Sequence, residues 1–76
     1  MTEQEWLDIF GRKLEKLMNE RGMTQKELAQ AALLDRSAIS NYINGRRIPT
    51  PKAIINFSYI FGVTIESLIY YGKEIL

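Results

Sequence analysis

Apolar positions recur along the chain at intervals of three and four, interrupted at short, regular distances by polar caps and glycines, and the pattern predicts five short helices and no strand. Leu7, Phe10, Leu14, Leu17 and Met18 mark one face of a first helix. Thr2 and Glu5 form a capping box at its start, and Gly22 stands where a left-handed stop is needed. Gly11, inside this helix, costs about 1 kcal/mol relative to alanine and so predicts close contact with a neighbouring helix. A second capping box, Thr24 with Glu27, precedes Leu28, Ala29 and Ala32, a helix of about two turns. Only Leu33 and Leu34 separate it from a third helix, capped at Asp35, running to about Asn44 and ended by Gly45. Thr50 before Pro51 opens a fourth, with Ala53, Ile54, Phe57, Ile60 and Phe61 as its apolar stripe and Gly62 as its stop. Thr64 opens a fifth through Ile65, Leu68 and Ile69. Tyr42 and Tyr59 are assigned to the core. Connections this short predict an all-α fold, a compact five-helix bundle.

Composition narrows the chemistry. A chain of 76 residues, 46% apolar and 25% charged, reads as one small domain over residues 1–76, with no linker or repeat. It contains neither cysteine nor histidine, which excludes disulfides, Cys/His zinc sites, thiol nucleophiles and histidine acid-base catalysis. Glu3, Glu5 and Asp8 read as first-turn residues favoured by the helix dipole rather than as a metal cluster. No enzyme activity, cofactor or metal is expected. No apolar run approaches the roughly 20 residues a bilayer crossing needs, and the start is acidic where a secretory signal is basic, so a cytoplasmic protein without membrane contact is expected. The net charge is only +1, but it is unevenly spread. Residues 24–52 hold five cations against two acids, whereas both flanks carry more acids than cations. The basic charge therefore sits in the middle third.

The third helix carries that charge into a pattern. At about 100° per residue, Arg36, Ser37, Ser40, Asn41 and Asn44 share one arc, and Ala38, Ile39, Tyr42 and Ile43 share the other. An ordinary solvated helix displays Glu and Lys. This one displays instead the forked and short donors and acceptors that match base edges: arginine on guanine, asparagine on adenine, serine on either. The segment after it, Asn44-Gly45-Arg46-Arg47-Ile48-Pro49-Thr50-Pro51-Lys52, holds three cations and no acid, a composition suited to phosphates. Thr24-Gln25 sets a hydroxyl, an amide and free N–H groups at a helix N-terminus, which attracts anions.

Thr24-Gln25-Lys26-Glu27-Leu28-Ala29, followed by Asp35 to Pro49 with its Ile39-Ser40-Asn41-Tyr42-Ile43-Asn44-Gly45 core, closely resembles the Cro/CI-type helix-turn-helix domain of phage repressors and bacterial transcriptional regulators. The resemblance covers about residues 10–69, leaving an N-terminal helical extension, 2–9, and an apolar tail, 70–76. It implies a lambda-repressor-like bundle whose second and third helices are scaffold and recognition elements. It also implies base reading by Arg36, Ser37, Ser40 and Asn41, and phosphate contacts from Gln25, Asn44, Arg46 and Arg47, with Thr24 and Lys52 as weaker assignments. Ala29 falls where the two helices cross and Ile39 in the core. Two departures stand out. The family's turn usually has glycine where this chain has Leu33, and the buried Arg–Glu pair of some relatives corresponds here to Met18 and Ile43, so that join is expected to be apolar.

The expected function is a sequence-specific duplex DNA-binding regulator, a repressor, acting as a homodimer on an inverted-repeat operator with two recognition helices about 34 Å apart. The tail residues Ile69, Tyr70, Tyr71, Ile75 and Leu76 are expected to join the subunit contact, and Trp6 to cover the core edge as part of an extra helical turn. The alternative is an antitoxin-like or other interaction module that holds a partner polypeptide through Trp6 or the tail.

Overall fold

The computed structural model describes residues 1–70, so Tyr71, Ile75 and Leu76 and their expected part in a subunit contact lie outside the described residues. Five helices follow one another: α1 Glu3–Glu20, α2 Gln25–Ala32, α3 Arg36–Ile43, α4 Pro51–Phe61 and α5 Ile65–Ile69. No strand occurs among the described residues. The starts obey the local chemistry. Thr2 and Thr24 close complete capping boxes, and Thr50 and Thr64 each accept the N–H three residues on. Asp35 differs: its backbone is extended as a cap requires, but its side chain makes no capping hydrogen bond.

The ends share one device. After α1, α3 and α4 the chain turns through a glycine with positive φ, and after α2 it turns through Leu33 at φ 57°. Around Leu33 the N–H of Leu34 donates to Ala29 O at 2.9 Å and that of Leu33 to Gln30 O at 3.3 Å, the paired bonds of a Schellman ending. A leucine thus makes a left-handed turn of the kind that glycine usually makes. It is 80% exposed, so burial offsets little of its left-handed strain. We expect Leu33→Gly to raise stability by about 0.5–1 kcal/mol, after allowing for the greater backbone freedom of glycine in the unfolded chain, and the melting temperature by a few degrees. A lower melting temperature for the variant would show that the leucine side chain packs more than its exposure indicates.

Inside, Phe10, Leu14, Met18, Leu28, Ala29, Ala32, Ala38, Ile39, Tyr42, Ala53, Phe57, Phe61 and Leu68 form one core. Phe10, Tyr42 and Phe57 meet at its centre with centroids 6.0–6.4 Å apart, two of the three contacts edge-on, so one aromatic triangle joins α1, α3 and α4. Trp6 stacks on Phe10 at 5.3 Å and donates its indole N–H to Ile69 O, closing the core edge as expected of the extra turn. Met18 is buried and Ile43 packs half-buried against the same core, an apolar join in place of a charged pair. Tyr59 is a correction. It is 91% exposed, because it lies nearly half a turn of helix away from the Ala53, Phe57 and Phe61 stripe that α4 turns inward.

Both capping glutamates sit below their ordinary value of 4.5, first because each accepts a backbone N–H, of Thr2 for Glu5 and of Thr24 for Glu27. A depressed folded value adds stability that is present above about pH 4.5 and is lost as the pH falls through the folded value. Melting temperatures measured between about pH 7 and 3 should therefore drop below about pH 4.5, and drop less in the E5Q/E27Q double variant.

Candidate nucleic-acid interface

The polar face of α3 is built by exclusion. Ala38, Ile39 and Tyr42 are buried, which by helix geometry turns Arg36, Ser37, Ser40 and Asn41 toward solvent. Arg36 and Ser37 are exposed, Ser40 and Asn41 half-buried, and no polar or charged side chain is buried among the described residues. The face carries no acid.

One contact sets this helix against α1, and another holds the end of α2 before the turn. Gly11 lets α1 approach the last turn of α3 so closely that a Cβ there would lie 2.3 Å from the carbonyl oxygen of Ile43 and 2.7 Å from that of Tyr42. On the far side, Asn56 of α4 donates to Ala32 O at 3.0 Å, satisfying a carbonyl left open at the end of α2 beside the turn.

The segment after α3 is pinned to α3 itself. Gly45, at φ 66°, lets the N–H of Arg46 return to Asn41 O at 2.9 Å and its own N–H reach Tyr42 O at 3.2 Å. Arg46 therefore starts from a backbone fixed to Asn41 of α3. From α1, Gln4 Nε2 donates to Gly45 O at 2.9 Å and to Asp8 Oδ1 at 3.0 Å, bracing the same turn. Gln4 and Asp8 escaped the sequence reading because their role needs α1 and the turn side by side, 41 residues apart in the chain.

Among the described residues, Arg36, Arg46, Arg47 and Lys52 have no ion-pair or hydrogen-bond partner for their side chains, and all four are exposed. Cations left unpaired at a surface are available to phosphates. Other site residues are partly committed. Asn44 Nδ2 donates to Ser40 O at 2.8 Å and more distantly to Ser40 Oγ, leaving its carbonyl oxygen outward. Thr24 Oγ1 accepts the N–H of Glu27 at 3.1 Å. Gln25, half-buried, occupies the first position of α2, where the N–H groups of an opening helix point outward. No three or more His, Cys, Asp or Glu side chains come together to hold a metal ion among the described residues.

Sequence comparison meets this geometry at the same place. The helix-turn-helix family matches residues 14–68, a span that takes in α2, the Leu33 turn, α3 and the basic segment after it. The chain belongs to the helix-turn-helix family. Over 67 residues this helix-turn-helix chain is also 33% identical to an HTH-type transcriptional activator, BcrR of Enterococcus faecalis, an alignment that covers 88% of the chain and 32% of that protein. The chain spans about a third of the length of this relative. The helix-turn-helix match and the regulator relative support DNA binding in transcription regulation. Among the described residues no helix is long and apolar enough to cross a membrane.

Proposed function

We propose that this chain regulates transcription by binding a specific sequence of duplex DNA, with α3 in the major groove and the segments at Gln25 and at Arg46–Arg47 on the phosphates to either side. One observation carries the reading: an acid-free arc of Arg36, Ser37, Ser40 and Asn41 faces solvent beside unpaired cations whose backbone is tied to that same helix. Base edges supply discrimination and phosphates supply affinity. Thr24, Asn44 and Lys52 complete the phosphate set. A role confined to holding another polypeptide leaves this arc unexplained.

Selection of bound duplexes from a random pool tests the reading. We expect an inverted repeat with half-site centres about one helical turn apart, because a two-fold pair presents two copies of α3 to one side of the duplex. Retention of the pool without sequence enrichment would refute it. Arg46→Ala should weaken every sequence alike and reduce the slope of log affinity against log salt by about one. For the output we propose repression, since a bound domain excludes polymerase from an overlapping site. The Enterococcus faecalis relative is named an activator. A reporter driven through the selected site decides: reduced expression supports repression, and raised expression overturns it.

A further inference from the structure

The end of α3 holds a pair of residues whose covalent reactivity DNA binding does not use. Asn44 is the only asparagine in the chain followed by glycine, so no side chain screens the Gly45 peptide nitrogen from the Asn44 amide carbon. The fold has a use for both residues. Gly45 turns the chain at φ 66°, and a Cβ on it would stand 2.4 Å from Asp8 Oδ1 and 3.2 Å from Gln4 Nε2, both of α1. Asn44 caps α3: its Nδ2 donates to Ser40 O at 2.8 Å, beside the bond that its own N–H makes to the same oxygen at 3.0 Å. The closed turn keeps the reactive atoms apart. The Gly45 N–H is committed to Tyr42 O at 3.2 Å, and Gly45 is buried, whereas Asn44 is exposed to water. Gln4 Nε2 on Gly45 O and the Arg46 N–H on Asn41 O, each at 2.9 Å, brace the turn from either side.

We infer that Asn44–Gly45 is a self-modification site, an asparagine that deamidates in water when the turn after α3 opens and is shielded while it is closed. Local opening frees the Gly45 N–H from Tyr42 O and the Asn44 side chain from Ser40 O. The Gly45 nitrogen then gives its proton to solvent and attacks Asn44 Cγ. A C–N bond forms and closes a succinimide ring, the Cγ–Nδ2 bond breaks, and Nδ2 leaves as ammonia after taking a proton from water. A water molecule next opens the imide at either carbonyl. Opening at Cγ returns the Gly45 N–H and leaves an aspartate; opening at the backbone carbonyl leaves an isoaspartate. The balance is one amide and one water giving one carboxylate and one ammonium, with no redox change. Either product sets a negative charge at the C-terminus of α3, where the helix dipole is already negative, and removes the Nδ2 donor. Isoaspartate also adds a backbone carbon between α3 and Arg46, so the bond from the Arg46 N–H to Asn41 O loses its register. The chemistry stands on the turn alone. Its consequence rests on the DNA-binding reading above: a carboxylate beside Arg46 and Arg47 repels the phosphates they would hold, and conversion switches binding off.

Peptide mapping by mass spectrometry, on the full 76-residue chain incubated in mildly alkaline buffer, tests the inference. Incubation in guanidinium chloride at the same pH supplies the open-turn rate. We expect Asn44 to convert in denaturant while Asn19, Asn41 and Asn56 stay intact, and to convert at least tenfold more slowly in the folded chain. Gln4→Ala removes a brace of the turn and touches no core residue, so it should raise the folded-state rate severalfold with little change in melting. Equal rates in folded and denatured chains, no conversion in denaturant, or a folded Gln4→Ala chain that converts like wild type would each overturn the inference. The ratio of folded to denatured rates decides even if Gln4→Ala unfolds. For the consequence, both the deamidated chain and Asn44→Asp should bind the selected duplex at least tenfold more weakly than wild type. Undiminished binding by both would overturn the switch. If no duplex were selected at all, the DNA reading would fall, and the conversion rates would still decide whether the turn shields Asn44.

Discussion

Replacing Gly11 with alanine should lower stability by about 2 kcal/mol and the melting temperature by about 10 °C or more. The added carbon would stand 2.3 Å from the Ile43 carbonyl oxygen, 2.7 Å from that of Tyr42 and 2.8 Å from the Ile43 carbonyl carbon. All three are backbone atoms, which cannot swing aside as the end of a long side chain can. Alanine's better helix propensity returns about 1 kcal/mol, but overpacking against a rigid neighbour costs about 1–3 kcal/mol and sometimes more. Relief requires α1 and α3 to separate, and separation loosens the Phe10, Tyr42 and Phe57 triangle that both helices share with α4. The consequence extends to function. Because the contact lies at the last turn of α3, the displaced element is the helix proposed to read DNA, so operator affinity should fall even at temperatures where the variant remains folded. Thermal melts followed by circular dichroism, together with binding measured well below the lower midpoint, check both parts. A variant that melts and binds like wild type would mean that the two helices do not approach this closely.

Arg36→Ala should weaken binding to the selected operator by about 1–3 kcal/mol, or roughly 5- to 150-fold, and abolish preference at a single base pair of each half-site. Arg36 opens α3, is exposed and has no partner among the described residues, so its guanidinium fork is free to engage a base edge with two bonds. Removing it leaves the proposed phosphate contacts in place. The salt dependence should therefore stay close to that of wild type, in contrast to Arg46→Ala. Binding to a panel of single-base operator variants at two salt concentrations separates the two roles. If Arg36→Ala flattened the salt slope and left the base preferences intact, Arg36 would be a phosphate contact, and reading would rest on Ser37, Ser40 and Asn41.

The helices were legible because their boundaries are set by neighbours in the chain. Thr2 with Glu5, and Thr24 with Glu27, satisfy N–H groups within a single turn, so no distant residue has to be known to place the starts of α1 and α2. Gly22, Gly45 and Gly62 mark turns with positive φ for the same local reason. The polar arc of α3 was equally legible, since its inward partners Ala38, Ile39 and Tyr42 announce themselves by periodicity. Asp35 was only half legible: the backbone caps α3, but the expected side-chain bond is missing. Tyr59 misled because an aromatic residue inside an apolar run reads as core, and periodicity alone does not say how wide an inward stripe α4 needs.

Local sequence chemistry thus determined where each helix begins and ends, which residues of α3 form its polar outward arc, and that the basic charge lies around them, because caps, turns and periodicity act over three or four residues. The tertiary structure decided what depends on distant segments meeting. It set Gln4 against Gly45, Asn56 against Ala32 and Gly11 against the end of α3, and it left Ile55 and Tyr59 without cover. Such contacts follow from how whole helices pack, and no short window of sequence contains both partners.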